Sequence, residues 1–103
     1  MEDESSKRGF NIQLAGFRKI DSSSMIVLKK NIENHAKRIA ELTKRLESLH
    51  ITLKEVHKRE KSEIYEVHAK IIDNGKVYAS ETTDRNLLIA VDDVLNKIVN
   101  ELD

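Results

Sequence analysis

The chain is 103 residues long, 39% hydrophobic and 35% charged, with 18 Lys and Arg against 18 Asp and Glu. That length fits one folded domain, the charge content argues against a membrane protein, and the lack of any cysteine excludes disulfide scaffolds, thiol nucleophiles, zinc ribbons and iron–sulfur centres. With a net charge of zero, attraction to nucleic acid must come from a local patch rather than from the whole-molecule field.

The polar, acidic start Met1 to Arg8 predicts a disordered tail ahead of a single domain over 9–103. No apolar run approaches the roughly 18 residues of a bilayer span, and the start has no signal-peptide character, so the expected compartment is the cytosol. Phe10, Ile12 and Leu14 alternate with Asn11, Gln13 and Ala15, the period of a strand with one buried face, ending near Gly16. Asp21 followed by Ser22 to Ser24 is a helix start, because a short side-chain oxygen can accept from the orphan amides of the first turn. The helix is predicted to run to about Arg45. Its apolar stripe is Met25, Leu28, Ile32, Ala36 (or His35), Ile39, Leu42 and Leu46.

Leu49, Ile51 and Leu53 then alternate with polar neighbours, as do Tyr65, Val67, Ala69 and Ile71 beyond the charged turn Lys58 to Lys61, which predicts a hairpin. The preferred register sets Lys54 opposite Glu66, Thr52 opposite His68 and Ile51 opposite Ala69. Asp73-Asn74-Gly75 is a tight-turn signal leading into a fourth strand, Lys76 to Thr82. Thr83 or Asp84 is the predicted cap of a last helix carrying Leu87, Leu88, Val91, Val94, Leu95, Ile98 and Leu102 at helical spacing. The order β-α-β-β-β-α predicts an α+β two-layer sandwich, a four-stranded sheet with two helices on one face. The open face would carry Asn11, Gln13, His50, Thr52 and Lys54 from the first two strands, and Glu66, His68, Lys70, Tyr78 and Ser80 from the last two.

Catalytic chemistry finds little foothold. His50 and His68 would share the open face with Glu66 as the nearest carboxylate, but no third ligand is apparent, so no metal site is expected. Asp92 and Asp93 are adjacent on a helix and point about 100° apart, which suits surface charge better than acid–base work. Ser22 to Ser24 have no local base. No catalytic residue, cofactor or enzymatic activity is expected. Cations are more promising: Lys30, Lys37 and Lys44 recur every seven residues, flanked by Lys29, Arg38 and Arg45, with Arg18 and Lys19 just ahead of the helix. Glu33 and Glu41 dilute this stripe, so a solvated salt-bridged face competes with phosphate contact.

The stretches IQLAGFRKID, entering the first helix, and KVYASETTDRNLLIAVDDVLNKI, spanning the last strand and helix, resemble the short ribosome hibernation-promoting factors, also called ribosome-associated inhibitor or sigma-54 modulation proteins. Gly16 through Asp21 is similar to the family's strand-to-helix segment, and Ala79, Ser80, Asp84, the Ala90-Val91-Asp92 step and Lys97 match in kind. The resemblance covers roughly residues 9 to 102. It implies the same β-α-β-β-β-α sandwich and a protein that lodges on the small ribosomal subunit, in the channel of messenger and transfer RNA, and silences translation. It also implies contacts to ribosomal RNA phosphates from Lys29, Lys30, Lys37, Arg38, Arg85 and Lys97. The competing expectation is a protein-interaction module, a weak homodimer formed through the open sheet face or a strand edge, with Val56 and Ile64 as an outward cross-strand apolar pair.

Overall fold

Ile12 and Leu14 alternate with exposed Asn11, Gln13 and Ala15 on β1 (Asn11–Ala15), and the two apolar side chains pack on the core. The computed structural model describes residues 10–59 and 62–103, and side chains over 10–54 and 63–103; the predicted tail and the second half of the predicted charged turn, at 60 and 61, lie outside the described residues. Gly16, at φ +85°, turns the chain out of β1, and buried Phe17 anchors a short turn closed by Ile20 N–H donating to Phe17 O at 3.0 Å.

Asp21 caps α1 (Ser22–Leu42), as its short carboxylate predicted: one oxygen accepts from Ser24 N at 3.0 Å and the other from Ser24 Oγ at 2.8 Å. The helix stops at Leu42, three residues before the expected end. Thr43 is extended, and its hydroxyl donates back to Ile39 O and Ala40 O at 2.9 and 3.2 Å, satisfying carbonyls that another helical turn would have used. Leu46 therefore opens β2 (Leu46–Arg59) and is not the last rung of the helical stripe. α1 is also the crossover that lets β2 lie parallel to β1, a connection needing a dozen or more residues.

β2 pairs antiparallel with β3 (Ser62–Asp73), and β3 with β4 (Lys76–Asp84), giving sheet order β1-β2-β3-β4. Ile51 opposes Ala69 and Thr52 opposes His68, as expected. Beyond Leu53 the register slips by one: a bulge at Lys54 leaves Glu66 opposite Glu55, not Lys54. The slip also pairs Val56 with Tyr65 and Ile64 with His57, so the anticipated Val56–Ile64 pair does not form.

Asn74 and Gly75 make the two-residue turn with φ of +51° and +85°, the positive pair that a primed hairpin turn requires. That turn is tied to the end of the α1–β2 loop, since Asp73 accepts from Arg45 N at 2.8 Å and Asn74 N donates to Arg45 O at 2.9 Å. It also fixes the phase of β4. Tyr78 falls opposite Ile71 and Ser80 opposite Ala69, so both face the helices; Ser80 Oγ donates to Val94 O at 2.7 Å. Ala79 and Glu81 take the open-face positions instead, the reverse of the sequence expectation.

Asn86, not Thr83 or Asp84, caps α2 (Leu87–Leu102), accepting from Ile89 N at 3.1 Å. Asp84 remains in the strand and accepts from Asn86 N, bracing the cap. Both helices lie on one face of the sheet. Leu28, Ile32 and Ile39 of α1, Leu53 and Val67 of the sheet, and Val91, Leu95 and Ile98 of α2 join one buried cluster. Full burial of each such side chain contributes about 1.5 to 3 kcal/mol over exposure.

Candidate nucleic-acid interface

The rotation of α1 about its axis decides which of its cations face outward, and a polar clasp to α2 sets that rotation. Asn31 Nδ2 donates to Asp92 Oδ1 at 3.2 Å, Asn96 Nδ2 donates to Asp92 Oδ2 at 3.2 Å, and His35 Nε2 lies 3.2 Å from Asn96 Oδ1. Core contacts of Leu28, Ile32, Ala36 and Ile39 hold the inner side. At about 100° per residue, Lys30 and Lys37 then point within about 20° of one another, on the side of the helix opposite its buried residues. Lys29 and Arg38 lie about 90° to either side, Arg38 on the flank toward α2. All four are exposed.

The remaining predicted cations fall around this face unevenly. Arg18 and Lys19 are exposed in the turn entering α1, and Lys44 is exposed in the loop that leaves it, so the seven-residue line of three lysines has two members on the helix and one beyond it. Arg85, also exposed, lines a cleft of about 550 Å³ at the starts of both helices, with Ile20, Ser24, Val27 and Leu88. Lys97 sits apart, on the side of α2 facing β4, where its ammonium donates to Glu81 O at 2.8 Å. The structure thus brings Lys30 and Lys37 together, keeps Arg18, Lys19 and Lys44 at the two ends of α1, and separates Lys97 from the rest.

Two groups near the cleft have displaced titrations. Hydrogen bonds from the Ser24 hydroxyl and backbone hold the Asp21 carboxyl below its ordinary value. The hydrogen bond of Tyr65 to Glu63, 3.0 Å long, together with burial, pushes the phenol above its ordinary value.

On the open sheet face, His50, Thr52, Lys54, His68 and Lys70 border a shallow depression of about 300 Å³. The inverted phase of β4 brings Glu81 beside His68: His68 Nε2 is 2.8 Å from Glu66 Oε2 and 3.4 Å from Glu81 Oε2. Glu81 is the residue that the sequence reading missed. The signal was available in the two-residue Asn74-Gly75 turn, because pairing Asp73 with Lys76 propagates along the ladder to His68 opposite Glu81.

The fold has close counterparts among solved structures. A ribosomal subunit interface protein from Coxiella burnetii superposes with a TM-score of 0.61 at 13% sequence identity, covering 90% of this chain and 93% of the other. The N-terminal domain of Thermus thermophilus Protein Y superposes with a TM-score of 0.53, also at 13% identity, covering 88% and 91%. This chain has their fold. It is the fold that the resemblance in the sequence implied. No family model matches the chain, and no curated protein sequence does. At 13% identity the likeness lies in the path of the backbone. Among the described residues, no helix is long and apolar enough to cross a membrane.

Proposed function

We propose that the protein is a cytoplasmic ribosome-associated factor, a binding protein and not an enzyme, which docks on small-subunit ribosomal RNA and holds translation silent. The observation that carries this reading is the pairing of a ribosome-interface fold with an outward cationic face on α1, where Lys30 and Lys37 are aligned and Arg38 flanks them. Because 18 cations balance 18 anions over the chain, contact has to be local, and the aligned helical lysines are the place where phosphates on one side of a duplex could be met together. Arg18, Lys19, Lys29 and Lys44 would extend the contact along both ends of the helix, with Arg85 beyond its start and Lys97 at the far margin.

Co-sedimentation of the purified chain with small ribosomal subunits over a salt series tests the proposal. The parent should bind with steep salt dependence. Replacing Lys30, Lys37 and Arg38 by glutamate should nearly abolish binding at physiological salt, and neutralising all three should lower the salt slope by about 2 to 3, at roughly 0.7 to 0.9 per phosphate contact. Circular dichroism must show the helices intact. A triple variant that co-sediments as well as the parent would falsify the helix-face reading.

A further inference from the structure

Glu66, His68 and Glu81 converge on one point of the open sheet face, on a scaffold that leaves little freedom to their backbones. Glu66 and His68 stand two residues apart on β3 and therefore share a face, and Glu81 is the cross-strand partner of His68 on β4. One ligand atom from each of the three lies within 4.8 Å of the others, with 2.8 Å between His68 Nε2 and Glu66 Oε2 and 3.4 Å between His68 Nε2 and Glu81 Oε2. Ligand atoms around a tetrahedral zinc ion stand about 3.4 Å apart, given bonds of about 2.1 Å. The His68–Glu81 separation already matches that spacing, while His68 and Glu66, at the 2.8 Å of a hydrogen bond, must part by about 0.6 Å to admit an ion.

We propose that these three residues bind a divalent transition-metal ion of the zinc type. One imidazole nitrogen and two carboxylate oxygens are a borderline donor set, suited to zinc and its neighbours; calcium and magnesium prefer oxygen alone. Two carboxylates match the charge of a divalent ion, which also relieves their mutual repulsion. A recess of about 370 Å³ bordered by Glu66, Glu81, Thr83 and Lys97 adjoins the cluster and leaves room for water or an anionic ligand in the fourth position. The alternative for this geometry is internal, His68 held beside the two carboxylates without any metal.

Calorimetric titration of the full chain with zinc chloride near neutral pH separates the two. The metal site gives saturable one-to-one binding that weakens by at least about tenfold in His68→Gln and in Glu81→Gln, at or beyond the loss seen on disturbing an outer-shell partner. His50→Gln, on the same face but outside the cluster, should leave affinity unchanged. Far-UV circular dichroism monitors the fold, and the exposed position of Glu81 makes Glu81→Gln informative even if His68→Gln is destabilised. Absence of saturable binding, or binding that survives both Glu81→Gln and His68→Gln, or an equal loss in His50→Gln, would each overturn the proposal.

Discussion

Asn31 on α1 donates to Asp92 on α2 across 3.2 Å, and this one contact ties together residues 61 apart in sequence. Asp92 accepts a second bond from Asn96, and His35 Nε2 stands 3.4 Å from its Oδ1, so a single carboxylate organises the polar side of the helix pair. Asn31 Oδ1 is buried without a hydrogen-bond partner, so the amide is already only half-satisfied, and losing the bond to Asp92 would leave it unsatisfied at both ends. Asp92→Ala should therefore destabilise the protein by about 1 to 3 kcal/mol, the cost of stranding a buried polar group. Urea denaturation of Asp92→Ala, Asn31→Ala and the double variant measures the coupling. Strict additivity would show that the clasp contributes nothing beyond its separate side chains.

Gly16 and Gly75 share a φ of +85° but differ in surroundings, which makes them a natural comparison. A Cβ added at Gly16 would collide with the Leu53 carbonyl oxygen of the neighbouring strand, whereas one added at Gly75 meets nothing within 4 Å. Gly75→Ala should cost only the left-handed backbone penalty, about 1 to 2 kcal/mol. Gly16→Ala must add a clash with the backbone of β2 at the end of the β1–β2 pairing, so its denaturation midpoint should fall distinctly lower. Equal midpoints for the two variants would mean that β1 can shift away from β2 at little expense.

The order of elements was legible because each depends on a strong local signal: the Asp21 cap, the Asn74-Gly75 turn and the helical spacing of Val91, Leu95 and Ile98. Three details depended on weaker contrasts. β4 reads Lys-Val-Tyr-Ala-Ser-Glu-Thr, where Val77 and Ala79 on one face are hardly more apolar than Tyr78 and Ser80 on the other, so alternation alone gives no phase. The bulge at Lys54 inserts its extra residue into the polar pair Lys54-Glu55, and its one trace in the sequence is the three-residue step from Leu53 to Val56 where the alternation runs by two. The end of α1 is set by the backbone of Thr43 and the hydroxyl bond it returns to Ile39 O, while the lysine spacing runs on past it to Lys44. Cations were visible as residues, but their grouping into an aligned pair and outliers required the helix end and the Asn31–Asp92 clasp.

The cap of α1 should make stability depend on pH in acid. Hydrogen bonds from Ser24 favour the ionised Asp21 carboxyl, so its folded pKa lies below its unfolded one. Such a group contributes stability that is present above the unfolded pKa and is lost as pH falls through the folded one. Asp21→Asn keeps a good capping side chain but cannot ionise. Urea midpoints should therefore favour the parent over Asp21→Asn at neutral pH, with the difference shrinking as the pH drops below the ordinary carboxylate range. A gap that stays constant from pH 7 into acid would show that ionisation of Asp21 adds nothing to the cap.

Within the proposed ribosome interface, geometry predicts that the cations contribute unequally. Lys30 and Lys37 point the same way from the exposed side of α1, so two phosphates can be met without rearranging either side chain. Lys97 already donates to Glu81 O at 2.8 Å, and a phosphate would have to draw its ammonium away from that carbonyl. Lys30→Ala combined with Lys37→Ala should lower the salt slope for small-subunit binding by about 1.4 to 1.8, two contacts at roughly 0.7 to 0.9 each. Lys97→Ala should lower it by less than one contact. The measurement is co-sedimentation between about 50 and 200 mM salt, the range over which several phosphate contacts change affinity by orders of magnitude. A larger loss in Lys97→Ala than in the double variant would move the interface from the outward side of α1 to the margin where α2 meets β4.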